Sequence, residues 1–146
     1  MQTRRANVIF ILLLFCSVLS SKAQEVQVVI TNIRATQGRM VIGVFKNSES
    51  FKEDKPYVRK KYEKTKVING KMIVKFNLEP GTYGLALLDD EDDNDEMNFN
   101  FIGIPQEGFG FSNYYLSGLS RPKFDAFKFE LKEGQTQKIL IKVKYM

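Results

Sequence analysis

The sequence predicts an all-β protein, a single antiparallel β-sandwich of about seven strands. Apolar residues recur at every second position along most of the 146-residue chain, which is the period of a strand and not of a helix. Turns containing glycine or proline separate these short runs, at a spacing typical of a sandwich. No segment longer than a turn or two has helical periodicity, and the length allows one domain.

Each strand is predicted from one run in which apolar residues occupy every second position. Asn69-Gly70 predicts a hairpin between the third and fourth strands, because both residue types tolerate positive φ. The polar residues 46–56 predict a loop with at most one helical turn. Strands of this length in two sheets suit an immunoglobulin-like or prealbumin-like sandwich. The seven predicted strands cover residues 26–30, 40–44, 62–68, 72–76, 83–87, 127–131 and 139–145.

Residues 1–23 have the pattern of a secretory signal peptide. Two arginines precede a twelve-residue apolar run, and small residues allow cleavage after Ala23. The run is too short for a membrane span, which takes about twenty residues. A retained anchor or a lipoprotein acylated at Cys16 is the alternative. The sequence thus predicts a secreted or periplasmic domain over residues 24–146, with no membrane span after cleavage.

The composition excludes most catalytic apparatus. The chain has no histidine, and its one cysteine lies in the leader, which rules out histidine-dependent triads, cysteine clusters and disulfides in the mature domain. The leader holds three of the 22 basic residues and none of the 17 acidic ones, so residues 24–146 carry a net charge of +2. So weak a charge argues against a nucleic-acid partner.

Residues 89–96 form a site-like constellation, with seven carboxylates in eight positions. Like charges this close repel, so the run needs hydration, basic partners or a cation. Oxygen-bearing side chains at alternate positions, with a backbone carbonyl among them, are typical of a loop that wraps Ca²⁺. The predicted ligands of a calcium-type cation are Asp90, Asp92, Asn94, Glu96 through its carbonyl, and Asn98.

This run departs from the helix-flanked calcium loop. Asp95 occupies the place of the turn glycine and Phe101 that of the bidentate glutamate, although Glu107 lies further along the chain. The alternative is a solvated acidic loop that pairs with the lysine-rich segment 52–75, itself expected to be an exposed edge. The residues alone leave both interpretations open.

No convincing strand is found in residues 89–118, yet nine large apolar side chains lie between positions 99 and 116. Leaving them in water would be costly, so the segment is expected to fold back over one end or face of the sandwich. An aromatic, glycine-rich surface suits a protein or glycan partner. Glu107 is expected to be partly buried and either orders the loop or serves a hydrolase. The predicted partner-binding residues are Glu107, Phe109, Phe111, Asn113 and Tyr114.

Three motifs follow one another along the chain: Leu78-x-Pro80-Gly81-Thr82-Tyr83, the run Asp90 to Asn94, and Gly103-Ile104-Pro105-x-Glu107-Gly108-Phe109-Gly110-Phe111-Ser112-Asn113. In this order they resemble the bacterial family called domain of unknown function 2141, across residues 26–145. The resemblance implies a signal peptide, one β-rich domain and no established activity. The family pattern has glycines where this chain has Asp93 and Asp95, and histidine at Asp89. More loosely, the first motif resembles transthyretin-like and carboxypeptidase-regulatory sandwiches.

Two functions from different classes are compatible with these features. The preferred one is a non-catalytic binding module, in which a calcium-type loop orders an aromatic surface for an unknown protein or glycan of the cell envelope. The alternative is a metal-free structural or accessory protein of the envelope. A carboxylate-dependent hydrolase ranks third, since it requires a pocket around Glu107 with a second acid within about 10 Å. No catalytic residue is predicted, and a monomer is expected.

Overall fold

In a computed structural model, which describes residues 23–146, the chain forms two β-sheets around a shared core. Apart from Ala23, the predicted leader lies outside the described residues and stays a prediction. Across the described part, no helix is long and apolar enough to cross a membrane. The elements are β1 (Gln24–Thr31), β2 (Arg39–Phe45), α1 (Ser48–Lys52), β3 (Val58–Glu63), β4 (Met72–Leu78), β5 (Gly81–Asp90), β6 (Gly108–Phe111), β7 (Phe129–Leu131) and β8 (Gln137–Lys142), with 3₁₀ turns at Lys64–Lys66 and Phe124–Ala126.

The strands are divided into a three-stranded and a five-stranded sheet. The first has the order β4-β1-β8, and the second has the order β3-β2-β5-β6, with β7 beside the start of β5. Neighbours are antiparallel except β1 and β8, which run parallel. The predicted all-β sandwich is confirmed, with β6 as a strand that the sequence pattern did not indicate.

Alternation along the strands builds the core between the sheets. One side chain in two points inward, as in β4, where the exposed residues alternate with buried ones along the whole strand. Each large aliphatic side chain buried in this way contributes about 1.5–3 kcal/mol to folding. The core includes Val26, Val28 and Ile30 of β1, Met40, Ile42 and Val44 of β2, Tyr83, Leu85 and Leu87 of β5, and Ile139 and Ile141 of β8.

The predicted hairpin turn at Asn69-Gly70 forms, with Ile68 and Lys71 hydrogen-bonded across it, but the predicted pairing of the third strand with the fourth is wrong. Both turn residues have the positive φ that the turn needs, +51° and +70°, but β3 ends at Glu63 and pairs with β2. β4 pairs with β1 in the other sheet, so the chain changes sheets between the two strands. Turn residues determine the local bend, whereas the pairing of β4 follows from burying its apolar face.

The lysine-rich segment only partly forms the exposed edge that was expected. Alternate residues of β3 are exposed at the edge of the five-stranded sheet. Lys64, directly after β3, is instead fully buried. The predicted helical turn in the loop before β3 is α1, which begins after Asn47, whose side chain accepts a hydrogen bond from the Ser50 N–H at 2.9 Å.

A second cluster, made of aromatic side chains, covers the outer face of the five-stranded sheet. Its rings make mostly edge-to-face contacts, such as the pair Phe51 and Phe127 with centroids 4.8 Å apart. The alternation Gly-Phe-Gly-Phe in β6 follows from this arrangement. A Cβ on Gly110 would lie 2.5 Å from Ile141 of the core, so the inward positions need glycine while the phenylalanines point outward. The cluster comprises Phe45, Phe51, Phe111, Phe124 and Phe127.

Candidate cation site and aromatic groove

The acidic loop connects β5 to β6 and begins at a fully buried carboxylate. Asp90 ends β5 opposite Arg39 of β2, whose Nε donates to Asp90 Oδ2 at 3.1 Å. Asp90 also accepts the backbone N–H of Asn94 at 3.0 Å and that of Asp95 at 3.1 Å. This one side chain therefore folds the next five residues around itself.

Two residues of this loop adopt the left-handed backbone conformation. Asp93 has a φ of +61° and Asp95 a φ of +67°. Aspartate tolerates this region better than most residues with a Cβ, although glycine enters it at the lowest cost. These are the two positions at which the resemblance described above implies glycine, and the aspartates that stand there adopt positive φ.

Asp92 is the centre of a second set of hydrogen bonds. Its Oδ2 accepts from the side-chain amides of Asn94 at 3.1 Å and Asn98 at 2.7 Å. The Asn94 amide also donates to Asn98 Oδ1 at 2.9 Å. Three of the predicted ligands are thereby held together on one side of the loop, with their oxygens already in contact with donors.

Glu107 closes the loop from the other end. Its side chain is buried, with 4% exposure, and its two oxygens accept the backbone N–H groups of Glu91 at 2.9 Å and Asn98 at 3.1 Å. The antiparallel pairing of Asp89 with Gly108 explains this position, because it brings residue 107 beside the end of β5. Carboxylate oxygens of Asp90, Asp92 and Glu107 all lie within 4.8 Å of one another.

Basic residues neutralise the other side of the loop. Arg39 pairs with Asp95 at 3.0 Å as well as with Asp90, and Lys61 pairs with Asp95 at 2.7 Å. The hydrogen bond from Lys61, with the nearby charge of Arg39, holds the pKa of Asp95 below its usual value. Asp95 therefore faces β2 and β3, away from the three-carboxylate cluster.

The structure brings four of the five predicted ligands together and leaves the side chain of the fifth, Glu96, outside the carboxylate cluster. Asp90 and Asp92 lie in the carboxylate cluster, and Asn94 and Asn98 hydrogen-bond to Asp92. Glu96 has an exposed side chain outside the cluster, and its backbone N–H donates to Asn94 Oδ1 at 2.7 Å. Glu107, predicted as a partner-binding residue, belongs with the cluster. Loop spacing alone misses it, since strand pairing and not sequence distance brings it there.

The residues predicted to form the partner surface differ in their exposure. Phe111 is buried in the aromatic cluster, and Phe109 and Tyr114 are half-buried against it. Asn113 is exposed and pairs with Leu140 of β8, donating from its N–H at 2.8 Å and accepting on Oδ1 at 2.9 Å.

Residues 89–118 were expected to fold back over the sandwich, and for part of this segment the expectation is wrong. The side chain of Phe101 is 98% exposed, and it lies in a small hairpin that the backbone hydrogen bonds of residues 98–106 close. The exposed large apolar side chains nearby are Phe99, Phe101, Ile102, Tyr115 and Leu119.

Between this segment and the outer face of the five-stranded sheet lies a groove of about 650 Å³. Its floor is apolar, formed by side chains of β2 and β5, and Phe99 and Phe109 form part of its wall. Arg59 and Arg121 add positive charge at its margin, partly paired with Asp54. Glu107 is not among the residues that line this groove.

The fold and the loop together define a class, a β-sandwich domain with a carboxylate-rich loop beside an apolar groove. The chain belongs to the family described as "Uncharacterized protein conserved in bacteria (DUF2141)", whose model matches residues 28–139. The predicted family membership is therefore confirmed. Comparisons with curated proteins and with solved structures give no match.

Proposed function

We propose that this protein is a secreted or periplasmic, non-catalytic binding module whose acidic loop binds a calcium-type divalent cation. The observation that carries the proposal is the convergence of Asp90, Asp92 and Glu107, with carboxylate oxygens within 4.8 Å of one another. Ca²⁺ takes six to eight oxygen ligands at about 2.3–2.6 Å, so ligands across the ion are about 5 Å apart. Carbonyl oxygens of the same turn and water would complete such a shell.

Charge balance supports the same proposal. Arg39 and Lys61 contact Asp90 and Asp95, whereas neither Asp92 nor Glu107 has an ion-pair partner among the described residues. Three carboxylates at short range repel one another, and a divalent cation between them would relieve that repulsion. The cation would fix the start and the end of the loop to each other, because Asp90 precedes it and Glu107 ends it.

The partner surface in this proposal is the groove and its aromatic margin. A cation that holds residues 90–107 together would also hold the hairpin that carries Phe99 and Phe101. Exposed aromatic side chains at such a density are typical of binding surfaces, where they contact a protein or stack on the faces of sugar rings. We expect the occupant to be a protein or glycan of the cell envelope.

A specific observation favours the metal-free alternative as the second candidate. The carboxylates of Asp90, Asp92 and Glu107 already accept hydrogen bonds from backbone or side-chain donors of the loop. The loop is therefore held by protein groups, and a structural or accessory domain would need nothing further. A double substitution of Asp90 and Asp92 by alanine does not separate the two candidates, since removing a buried acceptor destabilises the protein in both.

The experiment that separates them measures the response to calcium and not stability alone. Thermal melts of the full chain in Ca²⁺ and in EDTA are compared, with calorimetric titration of Ca²⁺ into metal-free protein. The proposal predicts a higher Tm in Ca²⁺ and measurable heat of binding, both lost in Asp92→Asn. The matched control is Glu133→Gln, an exposed acid far from the loop in sequence, which should keep the calcium response.

Coincident melting curves in Ca²⁺ and EDTA, together with no heat on titration, would leave only the metal-free candidate. A calcium response that survives Asp92→Asn and Glu107→Gln would place the ion elsewhere and overturn the ligand assignment. Partner binding is tested separately, by Phe101→Ser against a panel of envelope glycans and proteins, since this exposed side chain contributes little to the fold.

A further inference from the structure

A buried polar cluster lies in the interior directly beneath the acidic loop. Asp89 follows Tyr83, Leu85 and Leu87 on the inward face of β5, and neither its side chain nor that of Lys64 is exposed. Lys64 enters from the segment where the chain changes sheets, and its ammonium contacts Asp89 Oδ1. Among the described residues, this is the one ion pair with both side chains at zero exposure.

The surroundings of the pair give it few other partners. Lys64 Nζ and Asp89 Oδ1 have no hydrogen-bond partner among the described residues beyond their mutual contact. Asp89 Oδ2 accepts the hydroxyl of Tyr145, whose oxygen in turn accepts the backbone N–H of Arg34 at 3.1 Å. Burial and the hydrogen bond to Asp89 raise the pKa of Tyr145, so its hydroxyl stays a donor. An amine and a carboxyl group are thus enclosed together, with a proton donor on one carboxyl oxygen.

We propose that Lys64 and Asp89 are joined by an intramolecular isopeptide bond, formed by the folded protein itself. A buried ammonium–carboxylate pair with so few hydrogen bonds is poorly compensated for the water that both ions lose. Condensation to an amide removes both charges. In water the reverse hydrolysis is favoured, but a site closed to solvent lacks the water that hydrolysis needs.

The atoms of this step balance without any co-reactant. A proton passes from the Lys64 ammonium to Asp89 Oδ1, and the neutral amine then attacks Cγ. The Nζ–Cγ bond forms, the Cγ–Oδ1 bond breaks, and Oδ1 leaves as water with that proton and a second one from the amine. Oδ2 remains as the amide carbonyl oxygen. Tyr145 donates to Oδ2 throughout and stabilises the negative charge that develops on it during attack.

The bond would fix in place the connection between β3 and β4, in which the chain passes from one sheet to the other. It would tie the 3₁₀ turn Lys64–Lys66, which follows β3, to the end of β5, near the first residue of the acidic loop. The domain has no cysteine after the predicted leader, so a disulfide cannot make such a link. An amide is also unaffected by reductants.

The test is the intact mass of the folded protein, expressed from the full-length sequence and purified. We expect a mass lower by one water molecule than the sequence defined by its N-terminus, and a branched peptide joining Lys64 to Asp89 in tandem mass spectrometry of a digest. Asp89→Asn, nearly identical in shape, should lose one ammonia molecule instead. Lys64→Arg keeps the positive charge but has no amine to acylate, and should lose nothing.

Tyr145→Phe keeps the ring and removes the donor, so the linked fraction should fall or accumulate more slowly. Folding of every variant is checked by circular dichroism. Folded wild-type protein at its full sequence mass, with no branched peptide, overturns the proposal. A water or ammonia loss that maps to another position, such as a succinimide at Asn69-Gly70, overturns it as well.

Discussion

Asp89 and Asp90 are consecutive residues of β5, equally buried, yet they belong to two regions that differ in chemistry. Asp89 points into the sandwich, toward Lys64 and Tyr145. Asp90 points into the acidic loop, where it contacts Arg39 and accepts two backbone N–H groups. The interior region holds one carboxylate and one ammonium, whereas the loop region gathers three carboxylates.

The alternation of a strand produces this contrast, because successive side chains leave opposite faces of a sheet. The chemical surroundings of each carboxylate therefore depend on the face of β5 from which its side chain extends. The interior supplies a single cation and no water, which suits neutralisation. The loop supplies amides and neighbouring acids near solvent, which suits a bound ion. A run of acids in a sequence thus does not define one site until the period of its strand is taken into account.

The largest expected effect is in the interior region. Lys64→Met should lower the free energy of unfolding by about 3–5 kcal/mol, since it removes the partner that neutralises the buried Asp89 carboxyl group. The measurement is equilibrium unfolding in urea. The double variant Lys64→Met with Asp89→Leu, which removes both polar groups, should recover much of that loss. A single-variant loss below about 1 kcal/mol would contradict the view that this pair is strongly coupled.

The second largest loss of stability is expected at Gly108 of β6, which packs against the residues that follow β8. A Cβ on Gly108 would lie 2.6 Å from Val143 Cγ1 and would overlap the Tyr145 ring. Gly108→Ala should therefore cost about 1–3 kcal/mol through overpacking. Gly118→Ala is the matched control, because a Cβ there has no neighbour within 4 Å, and its effect should stay within about 0.5 kcal/mol. Equal effects would mean that β6 is not pressed against the C-terminal residues.

Without calcium, a substitution in the loop region should lower the free energy of unfolding by less than the loss of Lys64 does. Glu107→Gln keeps the shape of the side chain but turns one of its two acceptors of backbone N–H groups into a donor. Leaving one buried N–H without an acceptor should cost about 1–3 kcal/mol, measured by denaturation in EDTA. An unchanged stability would imply that the loop ends are held by other contacts.

A pH series tests the basic side of the loop. The folded-state pKa of Asp95 lies below its usual value of 3.8, so its interaction with Lys61 contributes stability above that value. This contribution is lost as the pH falls through the folded pKa. The difference in Tm between wild type and Asp95→Asn should thus be present near neutral pH and shrink below about pH 4. A difference that does not vary with pH would show that charge is not its cause.

The smallest effect is expected at Asp93. Asp93→Gly removes the cost of a left-handed conformation but adds freedom to the unfolded chain, so stability should change by no more than about 0.5 kcal/mol. Asp93→Val, which is β-branched, should be clearly less stable, by about 1–2 kcal/mol. Thermal melts of the two variants compare them directly. Equal stabilities would indicate that the loop does not need positive φ at this position.

The strand pattern was predictable from sequence because burial of one face imposes a period of two, as in β1, β2 and β5. β6 was missed, since its inward positions are Gly108 and Gly110, which carry no side chain to reveal the alternation. The burial of Lys64 was missed because a lysine in a basic segment gives no sign of its one partner, Asp89, which lies 25 positions further on.

The candidate site was predictable only in part. Asp90, Asp92, Asn94 and Asn98 come together as their spacing indicated, because they lie in one turn of chain. Glu107 joins them through the register of β5 with β6, which no spacing rule contains. The aromatic residues were recognised as a group, but which of them are covered depends on the hairpin over residues 98–106, whose turn is formed by Asn100 and Gly103.

The parallel pairing of β1 with β8 has a consequence for how the domain is made. β1 is the middle strand of its sheet, and it comes from the beginning of the domain, whereas β8 comes from the end. Synthesis proceeds from the N-terminus, so one hydrogen-bonding edge of β1 has no partner until residue 142 has been added. The sandwich therefore closes only after β8 has been synthesised, and until then the unpaired edge of β1 can pair with other chains and promote aggregation.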